Sequence, residues 1–141
     1  MGKNISSSDL AILKEALSNL ENSYSTYSKC KVSCIAVSAK TGKQYKGVNI
    51  ENSSYPCGIC AERSAIANAI TAEGSDFRIA AIYVVNSTGN VFEPCGICRQ
   101  TIGEFADGDA KVFVGNCDLS KTECHAFCEI LPYSFSADAM K

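Results

Sequence analysis

No cluster of lysine or arginine occurs anywhere in this chain, and the formal net charge is only -2. A protein that grips a phosphate backbone needs a basic patch or stripe, so nucleic acid is an unfavourable partner and a small molecule a better one. The sequence also lacks an apolar run long enough to span a membrane, and it has no linker, internal repeat or low-complexity tract. The polar stretch Met1 to Asp9 lacks the apolar centre of a secretory leader. That absence matters because the chain carries nine cysteines. An odd number of cysteines without a leader points to a reducing, cytoplasmic setting with free or metal-bound thiols rather than a disulfide framework. What remains is an ordinary globular composition of 46% hydrophobic and 20% charged residues, in which residues 1–141 make one domain with a sizeable core.

The cysteines are not evenly spread. Tyr55-Pro56-Cys57-Gly58-Ile59-Cys60-Ala61-Glu62-Arg63 is echoed by Glu93-Pro94-Cys95-Gly96-Ile97-Cys98-Arg99-Gln100. Thiolates are good zinc ligands, and zinc takes four ligands in a tetrahedron, so paired cysteines from two segments can clamp one ion. Glu62, two residues after Cys60, is placed to move protons beside a metal rather than to bind it. Cys30, Cys34, Cys117, Cys124 and Cys128 are expected to be small buried hydrophobes.

Two plainer readings compete. A structural zinc module would use Cys57, Cys60, Cys95 and Cys98 together. Zinc ribbons usually separate their pairs by about 15 to 20 residues, however, whereas 34 residues intervene between Cys60 and Cys95. A thioredoxin-like redox pair would use one Cys-x-x-Cys and leave the other idle.

The chain order predicts a helix from about Ser8 to Leu20, with Leu10, Leu13, Leu17 and Leu20 on one stripe, Ser8 as cap and Asp9 at the positive end of the dipole. A loop follows to Lys31, then a hairpin of Val32 to Ser38 and Gln44 to Ile50 about a turn at Thr41-Gly42-Lys43. A helix is expected from near Cys60 to Gly74, burying Ala61, Ala65, Ile66, Ala69 and Ile70, and a central strand at Ile79 to Val85. The rest reads as a helix from Cys98 to Ala106, strands at Lys111 to Gly115 and Lys121 to His125, and a short helical turn ending at Pro132. Strands alternating with helices predict an α/β fold, a three-layer α/β/α sandwich with a mixed sheet of about five strands. Each cysteine segment then lies between a strand end and a helix N-terminus, where amides and helix dipoles favour thiolate.

The wider pattern of Asn49-Ile50-Glu51-Asn52, Tyr55-Pro56, Cys60-Ala61-Glu62-Arg63 and Pro94-Cys95-Gly96-Ile97-Cys98-Arg99-Gln100 closely resembles the small homotetrameric zinc-dependent cytidine deaminases. The likeness extends to Leu131-Pro132 and Phe135, and so spans nearly the whole chain. The resemblance implies hydrolytic deamination of cytidine and deoxycytidine to uridine and deoxyuridine, with release of ammonia. It makes Cys60, Cys95 and Cys98 the ligands of one zinc per chain, with Cys60 where many relatives have histidine. It makes Glu62 the proton shuttle to N3 and to the departing amine, and Arg63 a donor to the ligand sulfurs that offsets three thiolate charges. Asn49 and Glu51 match the ribose partners, Ala61 a backbone contact to the pyrimidine, and Tyr55 and Phe135 residues that reach neighbouring subunits' sites. A related aminopyrimidine nucleoside or antibiotic is the alternative substrate. Three departures from the family stand out. Cys57 occupies a position where no ligand is expected and is read as a neighbour. Cys30 replaces a phenylalanine that packs on the base, which leaves stacking to Tyr27 or Phe135. Lys31-Val32-Ser33-Cys34 is more polar than the usual run.

Overall fold

A computed structural model describes residues 5–141; residues 1–4 of the polar N-terminal stretch lie outside it. The chain runs α1 (Ser7–Ser18), β1 (Val32–Ser38), β2 (Gln44–Val48), α2 (Ala61–Glu73), β3 (Ile79–Asn86), α3 (Gly96–Phe105), β4 (Ala106–Gly115), β5 (Thr122–Ala126) and α4 (Phe127–Ile130). The strands form one sheet in the order β2-β1-β3-β4-β5. Among the neighbouring strands of this sheet, β3 and β4 pair in parallel and the others antiparallel, so the sheet is mixed as expected.

The strand period of two sorts the core into two layers. Cys34, Ile82, Val84, Val112 and Val114 face the side where α2, α3 and α4 pack. Ile35, Ala81, Tyr83, Val85 and Phe113 face α1, which brings Leu13 and Ala16. The register aligns Ile35, Tyr83 and Phe113 in one row across three strands, and the last two rings stack with centroids 4.5 Å apart. Tyr83 also donates its hydroxyl to Asp9 Oδ1 at 2.7 Å, which ties the first turn of α1 to the centre of the sheet.

Several boundaries differ from the sequence reading. Ser6, not Ser8, caps α1, because Asp9 stands three residues on and completes a reciprocal capping box with it. Helix α3 starts at Gly96 rather than at Cys98, so Cys95 is its extended capping residue and Cys98 lies in its first turn. Strand β4 begins at Ala106, five residues before the expected Lys111; its first half is mostly exposed and therefore reads as polar sequence. The cysteines depart further from expectation. Cys34 is buried, but Cys30 and Cys124 are half-buried, and Cys117 and Cys128 are exposed. Their burial depends on where each falls on a strand or turn rather than on residue type.

Helix α2 approaches β2 unusually closely. A side-chain carbon added at Gly47 would lie 2.2 Å from the Ala65 amide nitrogen and 2.5 Å from the Ala61 carbonyl oxygen. Glycine on the strand and alanines at 61, 65 and 69 on the helix thus allow main chain to rest on main chain, which fixes the start of α2. The preceding loop is pinned as well. Ile50 and Ile59 exchange backbone hydrogen bonds of 2.9 and 3.0 Å, closing residues 51–58 at their base and delivering Cys60 to the helix.

Candidate metal centre

Cys60 and Cys95 are the capping residues of α2 and α3, and neither uses its side chain to cap. Both sulfurs are therefore left at helix N-termini, where unpaired amides favour negative charge. Cys98 follows one turn into α3 and is fully buried. The sulfurs of Cys60, Cys95 and Cys98 all lie within 4.8 Å of one another, and the Cys60–Cys95 separation is 3.8 Å. Tetrahedral zinc with sulfur bonds near 2.3 Å separates its thiolates by roughly 3.8 Å, so the donor set fits the ion in both chemistry and spacing. Cys57 is exposed on a short helical turn and is not part of this cluster. A four-cysteine module is therefore not what this geometry builds.

The electrostatics follow from three thiols sharing one position. The Cys60 thiol is held down at about 5, first by the hydrogen bond from the Cys98 thiol and then by the Arg63 guanidinium. Cys98 is pushed far up in turn, because it holds the shared proton and is buried. Arg63 Nη2 lies 3.9 Å from Cys60 Sγ and 3.5 Å from the Gly58 carbonyl oxygen, while its buried Nε has no hydrogen-bond partner among the described residues. Glu62 is 4% exposed and accepts from Cys98 Sγ at 3.6 Å. Burial raises its carboxyl above the usual range, and the Cys60 thiolate pushes the same way.

This group opens onto a cleft of about 410 Å³, within the size range of small-molecule sites, roughly 300 to 1,000 Å³. Asn49, Glu51, Tyr55 and Ala61 all line it, so four of the five expected substrate residues share one wall system with the metal centre. Phe135 does not. It lies on the C-terminal segment, 62% exposed, with its carbonyl accepting from Gln100 Nε2. Tyr27 lines a neighbouring hollow and meets Tyr55 edge to face. Beside Tyr55, the aromatic lining of the cleft comes from Phe92, with Glu93 next to it. Sequence reasoning names Glu93 only as the start of the second cysteine segment and passes over Phe92, although both directly precede Pro94 and Cys95 and have to travel with the metal loop.

Asn49 and Glu51 also hold the segment before β1. Asn49 Oδ1 accepts from the Val32 amide and the Ser23 hydroxyl, and Nδ2 donates to the Cys30 carbonyl. Glu51 accepts from the Tyr27 and Ser28 amides and from the Ser28 hydroxyl. An amide offers four hydrogen-bonding positions and a carboxylate about four, so one donor on Asn49 and about one lone pair on Glu51 remain. The two side chains are thus rigidly aimed, each with one position to spare.

Three cysteines around one ion position, a buried carboxylate beside them and an adjoining cleft define a metal-dependent enzyme on an α/β/α scaffold. The family profile described as the cytidine and deoxycytidylate deaminase zinc-binding region matches residues 6–116. The chain is 38% identical over 129 residues to the cytidine deaminase of Halalkalibacterium halodurans, covering 92% of this chain and 95% of that one. It is 30% identical to the blasticidin-S deaminase of Bacillus cereus, covering 94% and 96%. Its fold superposes on the crystal structure of cytidine deaminase from Burkholderia pseudomallei with a TM-score of 0.81 at 33% identity, covering 89% and 98%. The chain belongs to the cytidine and deoxycytidylate deaminase family, and zinc is its metal.

Proposed function

We propose that this enzyme hydrolyses the amino group of cytidine and deoxycytidine, giving uridine or deoxyuridine and ammonia. The observation that carries the reading is the buried Glu62 carboxylate, 3.6 Å from a sulfur of the three-cysteine cluster at the wall of a nucleoside-sized cleft. Zinc, held by Cys60, Cys95 and Cys98, supplies the Lewis acidity that makes water a nucleophile near neutral pH. Glu62 takes the proton of the attacking water and places it on N3 of the pyrimidine, then carries a second proton to the amine, which leaves as ammonia. A carboxyl raised by burial suits this task, because it can hold a proton at a pH where an exposed glutamate has none. The Ala61 main chain orients the base. The spare donor of Asn49 and the spare acceptor of Glu51 meet a sugar hydroxyl. Arg63 draws charge from the Cys60 sulfur, the task that a histidine ligand makes lighter in other members.

Tyr55 and Phe135 complete the sites of neighbouring subunits in a homotetramer. Their exposure in the single chain, 77% and 62%, supports this, since large aromatics left in water are a common mark of an interface. The nine unpaired cysteines support a reducing, cytoplasmic setting. An aminopyrimidine antibiotic is the second reading, and the Bacillus cereus relative supports it.

An ultraviolet assay of cytidine conversion, with zinc quantified on the same sample, tests the proposal. The expected result is turnover with one zinc per chain, and loss of turnover in Glu62→Gln with zinc and fold retained. Turnover of blasticidin S but not of cytidine would favour the second reading. A Glu62→Gln protein that remains fully active would sink the assignment of the shuttle.

A further inference from the structure

Outside the thiolate cluster, a second group of metal-ligating side chains converges among the described residues: Glu93, Glu123 and His125, whose donor atoms all lie within 4.8 Å of one another. The topology brings them together. Glu123 and His125 stand opposite Val114 and Val112 on the edge strand β5, so the period of two puts both on the face that the later helices cover. Glu93 arrives from the segment leading into α3 and also lines the cleft.

His125 Nε2 is the informative atom. It is shut off from solvent, 3.2 Å from Glu123 Oε2 and 3.5 Å from Glu93 Oε1, yet it makes a hydrogen bond to neither. Glu123 Oε2 is near enough to accept, so its failure is one of direction, whereas Glu93 Oε1 stands just beyond a normal hydrogen bond. An imidazolium paired with carboxylates would gain most by aiming its N–H at one oxygen, because aligned charge-assisted bonds are the strong ones. Two oxygens gathered about a ring nitrogen at these distances are spaced as ligands are around a shared ion. With metal–ligand bonds of about 2.1 Å, tetrahedral neighbours stand roughly 3.4 Å apart.

We propose that Glu93, Glu123 and His125 form a second metal site, distinct from the thiolate centre, for a borderline divalent cation such as zinc or cobalt. One imidazole with two carboxylates suits such an ion better than a soft one, and two carboxylate charges balance a dication. Among the described residues three protein ligands are present, so water completes the shell and the ion exchanges more readily than zinc held by three thiolates. Glu93 is two residues before Cys95, so an ion bound here also steadies the segment that carries a ligand of the first site.

The test uses the zinc-loaded enzyme, equilibrated with cobalt(II) and analysed for total metal per chain. The expected result is two metals per chain, the second showing the weak visible absorption of cobalt among oxygen and nitrogen ligands, without thiolate charge transfer. His125→Gln and Glu123→Gln should each weaken the second equivalent at least about tenfold, a loss comparable to that for removing a mere supporting partner, and leave the first zinc in place. Total metal that stays at one per chain at millimolar cobalt, or a second equivalent unweakened in both variants, would show the trio to be an ion-pair cluster and end the proposal.

Discussion

Cys60 answers to three neighbours: it caps α2, stands 3.8 Å from Cys95 Sγ and takes a contact from Arg63 Nη2 at 3.9 Å. In the metal-free protein its thiol titrates near 5, so it is a thiolate above that pH and a thiol below it. The alkylation rate of chelator-treated enzyme should therefore rise through a midpoint near pH 5, well below that of an ordinary thiol near 8.5. Arg63→Gln should move this midpoint upward and, in the zinc enzyme, lower kcat by about ten- to a hundredfold with the metal retained. An unchanged midpoint and kcat would make Arg63 a purely structural residue. At this scale the sequence is informative wherever the chemistry is local. Cys60, Glu62 and Arg63 lie within four residues, and their roles follow from one helix start. Phe92 escapes such a reading because nothing in a lone aromatic says which wall it joins. The exposure of Cys117 and Cys128 escapes it too, because their surroundings come from distant segments.

Among the elements, α2 is positioned by what β2 lacks. Gly47→Ala puts a methyl carbon 2.2 Å from the Ala65 nitrogen, against backbone that cannot swing aside, so the helix must lift. The expected cost is about 3 kcal/mol, the upper range for overpacking, together with partial loss of zinc as Cys60 moves away from Cys95. Thermal unfolding and metal analysis of the same sample check both effects; a variant with wild-type melting and zinc content would show that α2 slides without penalty. Ser6→Ala should cost only about 1 kcal/mol, as the loss of one cap usually does. The order and type of the elements can be read from periodicity, since Ile79–Asn86 and the alanine face of α2 carry strong patterns. The ends are harder. The early start of β4 rests on the pairing of Ile79 with Ala106; the register then shifts, and the polar stretch Asp107-Gly108-Asp109 bulges before Lys111 pairs with Ala81.

For the whole molecule, the exposed aromatics call for a partner surface. Tyr55, on the loop before α2, and Tyr133 and Phe135, near the C-terminus, are the most exposed aromatics among the described residues. The enzyme should sediment at about four times its 15.0 kDa chain mass, as a closed assembly. Phe135→Ala should weaken both assembly and turnover, with the loss of activity following the loss of tetramer on dilution. A fully active monomer at assay concentration would remove the subunit-bridging roles given to Tyr55 and Phe135. Composition and periodicity do not supply this, and only the family resemblance suggests it, because an interface is a patch that exists once the fold is made.

The placement of the three sulfurs has a consequence for the unfolded chain. Cys60 and Cys95 are 35 residues apart and flank a helix, a strand and the segment entering α3, so an ion joining them closes a loop. Loops of this length lose entropy worth on the order of 4 kcal/mol when cross-linked before folding, by the chain-entropy reasoning that applies to disulfides. The catalytic metal therefore doubles as a staple that can be withdrawn. Chelation should lower the melting temperature by roughly 10 °C or more, and re-addition of zinc should restore it. Calorimetry with and without chelator measures the difference, and an unmoved transition would show that α2 and α3 hold their places by packing alone.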